Sequence, residues 1–242
     1  MKKLSIFPAL FLIVLINIGY AQNKKIAVVT FFINKQIDVT EFGGVAYLAV
    51  TKLSDDPNFN LAPLLKSFHA QFFDDYSKSF PFQLLSETQV INNDAYKAFV
   101  PVGVADNGVL KASNYITTVD GYKIILPLVG HDNEKALLKI FNESDGVMDV
   151  SIDFKLIKIG LAGMGIIKVD AFANIALFNK NGDRVFSLKE DAKSKSTNAL
   201  IGGVPVMTAD KIMPMCESAL NELMTQLQKD MPKLIKKADA KL

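Results

Sequence analysis

The sequence predicts a single α+β (or α/β) domain built on one mixed sheet, and three observations carry that prediction. Residues 25–33 (KIAVVTFFI) form a short, nearly continuous apolar run rich in β-branched and aromatic side chains, as a strand buried on both faces under helices would. Residues 146–188 alternate apolar and polar side chains over two long stretches and then turn at Asn181-Gly182, which reads as a three-stranded antiparallel meander. Residues 210–231 place Ile212, Cys216, Leu220, Leu223 and Leu227 on one stripe of a long closing helix.

In chain order, residues 1–21 come first and read as a cleaved signal peptide. Lys2 and Lys3 give a positive start, an apolar run follows, and Gly19-Tyr20-Ala21 supplies small residues at the −3 and −1 positions of a cleavage site before Gln22. The run is marginal against the roughly 20 apolar residues of a membrane span, so cleavage outweighs anchoring. No cysteine follows the cleavage point, so the expectation is an exported chain that is not a lipoprotein, with residues 22–242 as one domain in the periplasm or at the outer membrane.

After the first strand, residues 34–60 are punctuated by Gly43-Gly44 and Asp55-Asp56-Pro57, with a short strand expected over 45–50. Residues 61–80 predict a helix, because Leu65, Phe68, Phe72 and Tyr76 recur at helical spacing, Asn60 can cap the start and Pro63 sits in the first turn. Residues 82–85 read as a strand, and Ser86-Glu87 opens a helical stretch through Tyr96 and Phe99. Residues 101–114 look irregular. Residues 121–129 (GYKIILPLV) predict a second buried strand, which Pro127 confines to an end or an edge. Asp132 is placed to cap a helix over 133–141.

The meander carries its own register. Folding back over Gly160 to Gly165 sets Leu156 opposite Val169, Phe154 opposite Ala171, Ile152 opposite Ala173 and Val150 opposite Ile175. Large side chains then meet small ones, and Lys155 faces Asp170, both favourable across strands. Asn181-Gly182 predicts a type I′ turn, with Leu177 opposite Phe186 and Phe178 opposite Val185. The closing helix contains Pro214, and the Lys-rich tail over 233–242 is expected to fray.

Composition excludes several function classes. Removing Lys2 and Lys3 from the 27 basic residues leaves as many basic as the 25 acidic ones, without the surplus charge that nucleic-acid binding needs. Arg184 is the only arginine, so forked recognition of phosphates or bases is not expected. One cysteine allows neither a disulfide nor a paired-cysteine metal site, and its place on the apolar stripe implies burial. An exported chain also lies apart from cytosolic nucleotide and nicotinamide cofactors, so none is expected.

Each chemical candidate has a plainer competitor. His69 sits beside Phe68 on a helix, with packing preferred to catalysis. His131-Asp132 follows a predicted strand, but adjacent residues seldom orient one another and no nucleophile motif accompanies them, so capping is preferred. Asp149, Ser151 and Asp153 share one face of a strand, where a solvated face outweighs a carboxylate or cation site. Gly160, Gly163 and Gly165 join two antiparallel strands with no helix to hold a phosphate. No catalytic, cofactor or metal residue is therefore expected.

The loop over 159–166 is unusual in being apolar. Ile159, Leu161 and Met164 are the candidate partner contacts, for an envelope protein or for peripheral contact with a membrane. The competing expectation folds this loop under the closing helix or against the equally apolar 200–207.

The order of elements carries a family likeness. A first strand of the KIAVVTFF type, a helix leading into PFQLLSETQVI at 81–91, a DGVMDVSIDF strand opening at Asp145, and a meander ending in NKNGDRVFSL precede the closing helix. This resembles the α/β domains of bacterial envelope proteins grouped around the curli-secretion protein CsgG and the N-terminal domain of TolB. The positions concerned are residues 25–31, 82–84 and 145–147. This sequence lacks the lipid-anchor cysteine of the curli protein and has extra segments at 34–60 and 99–113, which argues against pore formation. The resemblance implies a non-catalytic envelope module that binds protein partners in assembly or secretion, and it carries no functional residue across. The alternative expectation is a periplasmic module for a lipid or other small ligand, based on Phe68, Phe72, Phe154, Phe172 and Phe178.

Overall fold

A computed structural model describes residues 24–104, 111–127, 130–160, 165–201 and 203–239. The leader over 1–21, Leu161 and Met164 at the hairpin tip, part of the irregular 101–114, Val129 and the last three residues lie outside the described residues. The elements follow as β1 (Lys25–Asn34), α1 (Gly44–Asp55), α2 (Ala62–Asp74), β2 (Gln83–Leu84), α3 (Glu87–Ile91), α4 (Asp94–Ala98), α5 (Ala112–Tyr115), β3 (Ile116–Thr118), α6 (Asp132–Ile140), β4 (Gly146–Ile159), β5 (Ile166–Asn179), β6 (Arg184–Lys193), β7 (Asn198–Ile201), β8 (Val204–Pro205) and α7 (Ala209–Asp239).

Among the described residues the strands form one eight-stranded mixed sheet in the order β2-β1-β4-β5-β7-β8, with β3 also on β1 and β6 also on β5. β1 runs parallel to both β2 and β4, while β4, β5 and β6 form the antiparallel meander. The predicted register of the first hairpin holds at every pair named above, from Leu156↔Val169 to Val150↔Ile175. One face of the sheet carries the main core: Met148, Val150, Ile152, Phe154 and Leu156 of β4 pack under α2 and α7. Phe31 anchors that layer, its ring 5.8 Å from Phe68 and 5.4 Å from Phe72. The stripe of α7 is fully buried, and Tyr76 donates from its hydroxyl to the Met224 carbonyl at 2.8 Å, tying α7 to the chain after α2. No described helix is long and apolar enough to cross a membrane.

Several expectations give way to tertiary context. Residues 45–50 lie in helix α1 rather than a strand. Ala46, Val50 and Leu53 are buried at helical spacing while Tyr47 and Leu48 face solvent, and Gly43 at φ 74° makes the turn into the helix. The helix predicted over 61–80 stops at Asp74, and a 3₁₀ turn over Tyr76–Ser79 buries Tyr76 instead. The stretch from Ser86 breaks into α3 and α4; Ser86 and Gln89 form a capping box and Asn93 caps the second helix.

Residues 121–127 form no strand. Their backbone is satisfied by side chains, because Lys123 N–H donates to the Tyr96 hydroxyl at 2.8 Å, and Thr30 Oγ1 donates to the Lys123 carbonyl at 2.7 Å. The strand paired to the far end of β1 is β3, just before this segment. Asp132 is the first residue of α6 and not its cap; the cap position is His131, in the left-handed region at φ 56°.

The second hairpin also differs from a type I′ turn. Gly182 alone has positive φ, at 81°, and Asn179 closes a three-residue loop by donating to the Asp183 carbonyl. A shift between Leu177 and Phe178 then pairs Phe178 with Arg184 rather than Val185. Lys155 stands opposite Asp170 in register but directs its ammonium to Glu41 at 3.0 Å, leaving Asp170 to Lys193 at 3.4 Å. The connection after β6 contains the small strands β7 and β8, and α7 runs past Pro232 to Asp239 with Ile235 still buried.

The Tyr96 hydroxyl both receives Lys123 N–H and donates to the Val29 carbonyl at 2.7 Å. Tyr96→Phe is expected to lower stability by about 1–3 kcal/mol, the range for orphaning buried backbone groups, as read by urea unfolding. Protection of the Lys123 and Ile125 amides against hydrogen exchange should fall more than that of β4.

Candidate functional site

The second face of the sheet is where polar chemistry collects, and the reason begins in β1. The register shift between Val28 and Thr30 is a β-bulge that places Thr30 opposite Asp149 and Phe32 opposite Ser151. Thr30, the one polar residue after Lys25 in the apolar run, is fully buried. Its hydroxyl donates to the Lys123 carbonyl and accepts from Ile125 N–H at 3.3 Å, holding residues 122–127 across this face as a roof. α6 enters from the side and contributes His131 and Glu134.

These elements enclose a cavity of about 370 Å³ lined by Thr30, Phe32, Ile125, His131, Glu134, Asp149, Ser151, Asp153, Asn174, Phe178 and Arg184, among others. That volume falls within the range typical of small-molecule sites. Asp153 is satisfied, accepting from Asn34 Nδ2 at 3.3 Å and Asn174 Nδ2 at 2.8 Å. The same three residues border a second hollow of about 570 Å³ that continues past Lys155, Phe172 and Lys189. The polar floor is thus one trough, roofed at the Asp149 end.

The roofed end holds the unusual group. Glu134 is only 1 % exposed, and neither of its carboxyl oxygens meets a donor among the described residues; Asp149 Oδ1 and His131 Nδ1 are unpartnered as well. Such buried orphans are rare in folded proteins. Burial pushes the Asp149 carboxyl well above the usual carboxylate range, and the charge of Glu134 pushes the same way. Asp153 is also raised by burial, with Asn34, Lys189 and Asn174 opposing.

The Asp149-Ser151-Asp153 face, expected to be solvated, is half-buried, since the roof and α6 cover its Asp149 end. The structure also brings His131 to the same cavity, its ring 4.8 Å from Phe178. Ser151 and His131 share no hydrogen bond among the described residues, so no base–nucleophile pair is assembled. No group of three or more His, Cys, Asp or Glu able to hold a metal ion occurs among the described residues.

His69 has a partner that sequence spacing did not reveal. Its Nε2 lies 2.6 Å from Glu87 Oε1, which also accepts from the Tyr122 hydroxyl at 3.0 Å. The shallow 830 Å³ hollow beside Glu87 therefore meets polar groups that already satisfy one another. The aromatic residues proposed for an apolar pocket do not converge. Phe68, Phe72 and Phe154 fill the main core, Phe172 lies under the Lys189 ammonium at 4.8 Å, and only Phe178 lines the cavity. Cys216 is buried on α7 and its thiol is pushed up by that burial.

Of the candidate contacts, Ile159 is 41 % exposed and stands opposite Ile166 at 40 %, while Leu161 and Met164 lie outside the described residues. Leu200 N–H donates to the Gly165 carbonyl, and β7 pairs with Ile166 and Ile167, so the base of the loop does rest against the 200–207 segment. Sequence reading missed Glu134, Thr30, Asn34, Asn174 and Arg184. Only Thr30, as a lone hydroxyl in an apolar run, carried a signal.

No protein-family model and no curated protein matches the chain. Among solved structures, it is similar to lipoprotein GNA1162 from Neisseria meningitidis, with 10 % identity over 71 % of this chain and 83 % of that one and a TM-score of 0.31. A homolog of neuraminyllactose-binding hemagglutinin from Helicobacter pylori gives 10 % identity over 90 % and 88 % with a TM-score of 0.38. The hypothetical protein CT253 from Chlamydia trachomatis gives 8 % identity over 86 % and 98 % with a TM-score of 0.27. Overlaps at these scores are partial, and nothing about this chain's function follows from them.

Because Asp149 binds its proton more tightly folded than unfolded, its contribution to stability is complete below the ordinary aspartate range and is lost as pH rises through the raised value. Unfolding free energies from urea titration are expected to fall between pH 4.5 and pH 8, by at most about 1.4 kcal/mol per pH unit for each proton involved. Asp149→Asn should flatten that slope and raise stability at pH 8, leaving a residual slope from Asp153 and Asp170, which burial also raises.

Proposed function

We propose that this chain is an exported bacterial envelope protein that binds a small molecule in the cavity on the second face of its sheet without converting it. The observation that carries this reading is the sealed, unpartnered Glu134 facing that cavity beside Asp149. Burying acceptors without donors is costly, and a ligand that supplies the donors recovers the loss. The leader read at residues 1–21 and the resemblance to the CsgG and TolB envelope domains support the compartment. The absence of a Ser151–His131 hydrogen bond among the described residues supports binding over catalysis.

A second reading, contact with an envelope protein partner, rests on the exposed cross-strand pair Ile159 and Ile166 at the end of the meander. In that reading these side chains seat the partner and the cavity serves a separate role.

Native mass spectrometry of the full chain, isolated from the periplasm without denaturation, is expected to show a bound species of small-molecule mass. Ala176 lines the cavity, so Ala176→Leu should remove that species while leaving the circular dichroism spectrum unchanged. Bare polypeptide from native preparations would overturn the ligand reading. For the second reading, Ile159→Lys with Ile166→Lys should abolish crosslinks to a stoichiometric partner without lowering Tm; crosslinks that persist count against it.

A further inference from the structure

The unpartnered atoms of the cavity specify the chemistry they lack. Glu134 Oε1, Glu134 Oε2 and Asp149 Oδ1 are all acceptors sealed from solvent. What is missing is therefore a donor, and a cluster of donors rather than a single one. An ammonium group brings three N–H bonds and a positive charge. The surroundings favour the same sign, since Glu134, Asp149 and Asp153 line the cavity against one guanidinium, that of Arg184, which is exposed. An anionic head is disfavoured by the carboxyls. A metal ion is disfavoured too, because no group of three or more suitable ligands occurs among the described residues. The remaining walls include Phe32, Ile125, Leu126 and Phe178, which suit a carbon skeleton.

We propose that the occupant is a small organic ammonium compound, with its nitrogen held by Glu134 and Asp149 and its carbon chain against Phe32, Ile125 and Phe178. This rests on the ligand-binding reading of the same cavity and adds the class of ligand to it. Burial, with the charge of Glu134 beside it, pushes the Asp149 carboxyl of the empty site up, toward keeping a proton. Arrival of the ammonium replaces that proton, which leaves to solvent, so the charge inside the cavity is conserved and affinity rises with pH. The charged and titratable groups facing the pair are His131 from α6, Asp153 from β4, Arg184 from β6 and Tyr96 from α4.

The test is calorimetric titration of the full chain with matched probes: n-pentylamine, sodium pentanoate, 1-pentanol and calcium chloride. Pentylamine is expected to bind at least about tenfold more tightly than the other three, a difference of about 1.4 kcal/mol. Its heat should vary with the ionisation enthalpy of the buffer, as proton release demands. Glu134→Gln should weaken pentylamine about tenfold or more and remove the buffer dependence, whereas Arg184→Gln, which removes the one guanidinium at the cavity, should strengthen pentylamine binding. Both variants are checked for wild-type urea midpoints.

Tighter binding of pentanoate, pentanol or calcium would overturn the ammonium assignment while leaving a ligand site in place. Silence with all four probes overturns it as well, and native mass spectrometry then decides separately whether the cavity holds any ligand. Pentylamine binding that survives Glu134→Gln at full strength would place the cation elsewhere and sink the proposal.

Discussion

β1 pairs in parallel with β4 from Ile26 to Ile33, and the two strands have different needs. β1 is buried along both faces, with eight consecutive residues sealed from solvent. β4 is apolar on one face and polar on the other, alternating over most of its length. A layer of helices can satisfy the shared apolar face, and α2 and α7 do so. The second face of β1 still needs a cover, and any cover wide enough for it overhangs the polar face of β4. The roof at 122–127 and helix α6 are that overhang, and the cavity is the space they enclose.

The composition of the cavity follows from the same mismatch. Its floor holds Asp149, Ser151 and Asp153 because those residues alternate with a core-forming set that the main layer requires. Their exposure was reduced by elements that pack on β1. Asp153 finds amide donors from Asn34 and Asn174 on the flanking strands. Asp149 lies beside another carboxyl, Glu134, and Asp149 Oδ1 and both Glu134 oxygens are left as idle acceptors. Elsewhere the same face is closed with complete satisfaction: Tyr96, Thr30 and Lys123 exchange hydrogen bonds that stand in for a strand ladder. That contrast within one layer sets the carboxyl pair apart from the rest of the trough.

Legibility in the sequence tracked the number of faces a segment buries. Where one face is buried, period and register are both visible. The β4–β5 pairs could be written down residue by residue, because only one alignment sets Phe154 against Ala171 and Leu156 against Val169. The α7 stripe was equally plain. Where both faces are apolar, the period vanishes. Nothing in KIAVVTFFI locates the bulge at Val28 to Thr30, yet that bulge sends Phe31 to the main core and Thr30 to the cavity. Short apolar runs failed for a related reason. Residues 45–50 and 121–127 are as apolar as strands, but one became a helix and the other a roof held by side chains.

The sequence by itself determined the architecture of the domain: a two-faced strand, an antiparallel meander with its first register, and a closing helix. Those are local or pairwise properties, set by side-chain spacing and by the size match of facing residues. It also fixed which residue types were present for chemistry. The tertiary structure decided which of them meet. Glu134 and Asp149 lie on successive elements, α6 and β4, and each alone reads as a solvated acid. They were brought together under cover because α6 and the roof serve β1, and no spacing within either segment records the needs of a third.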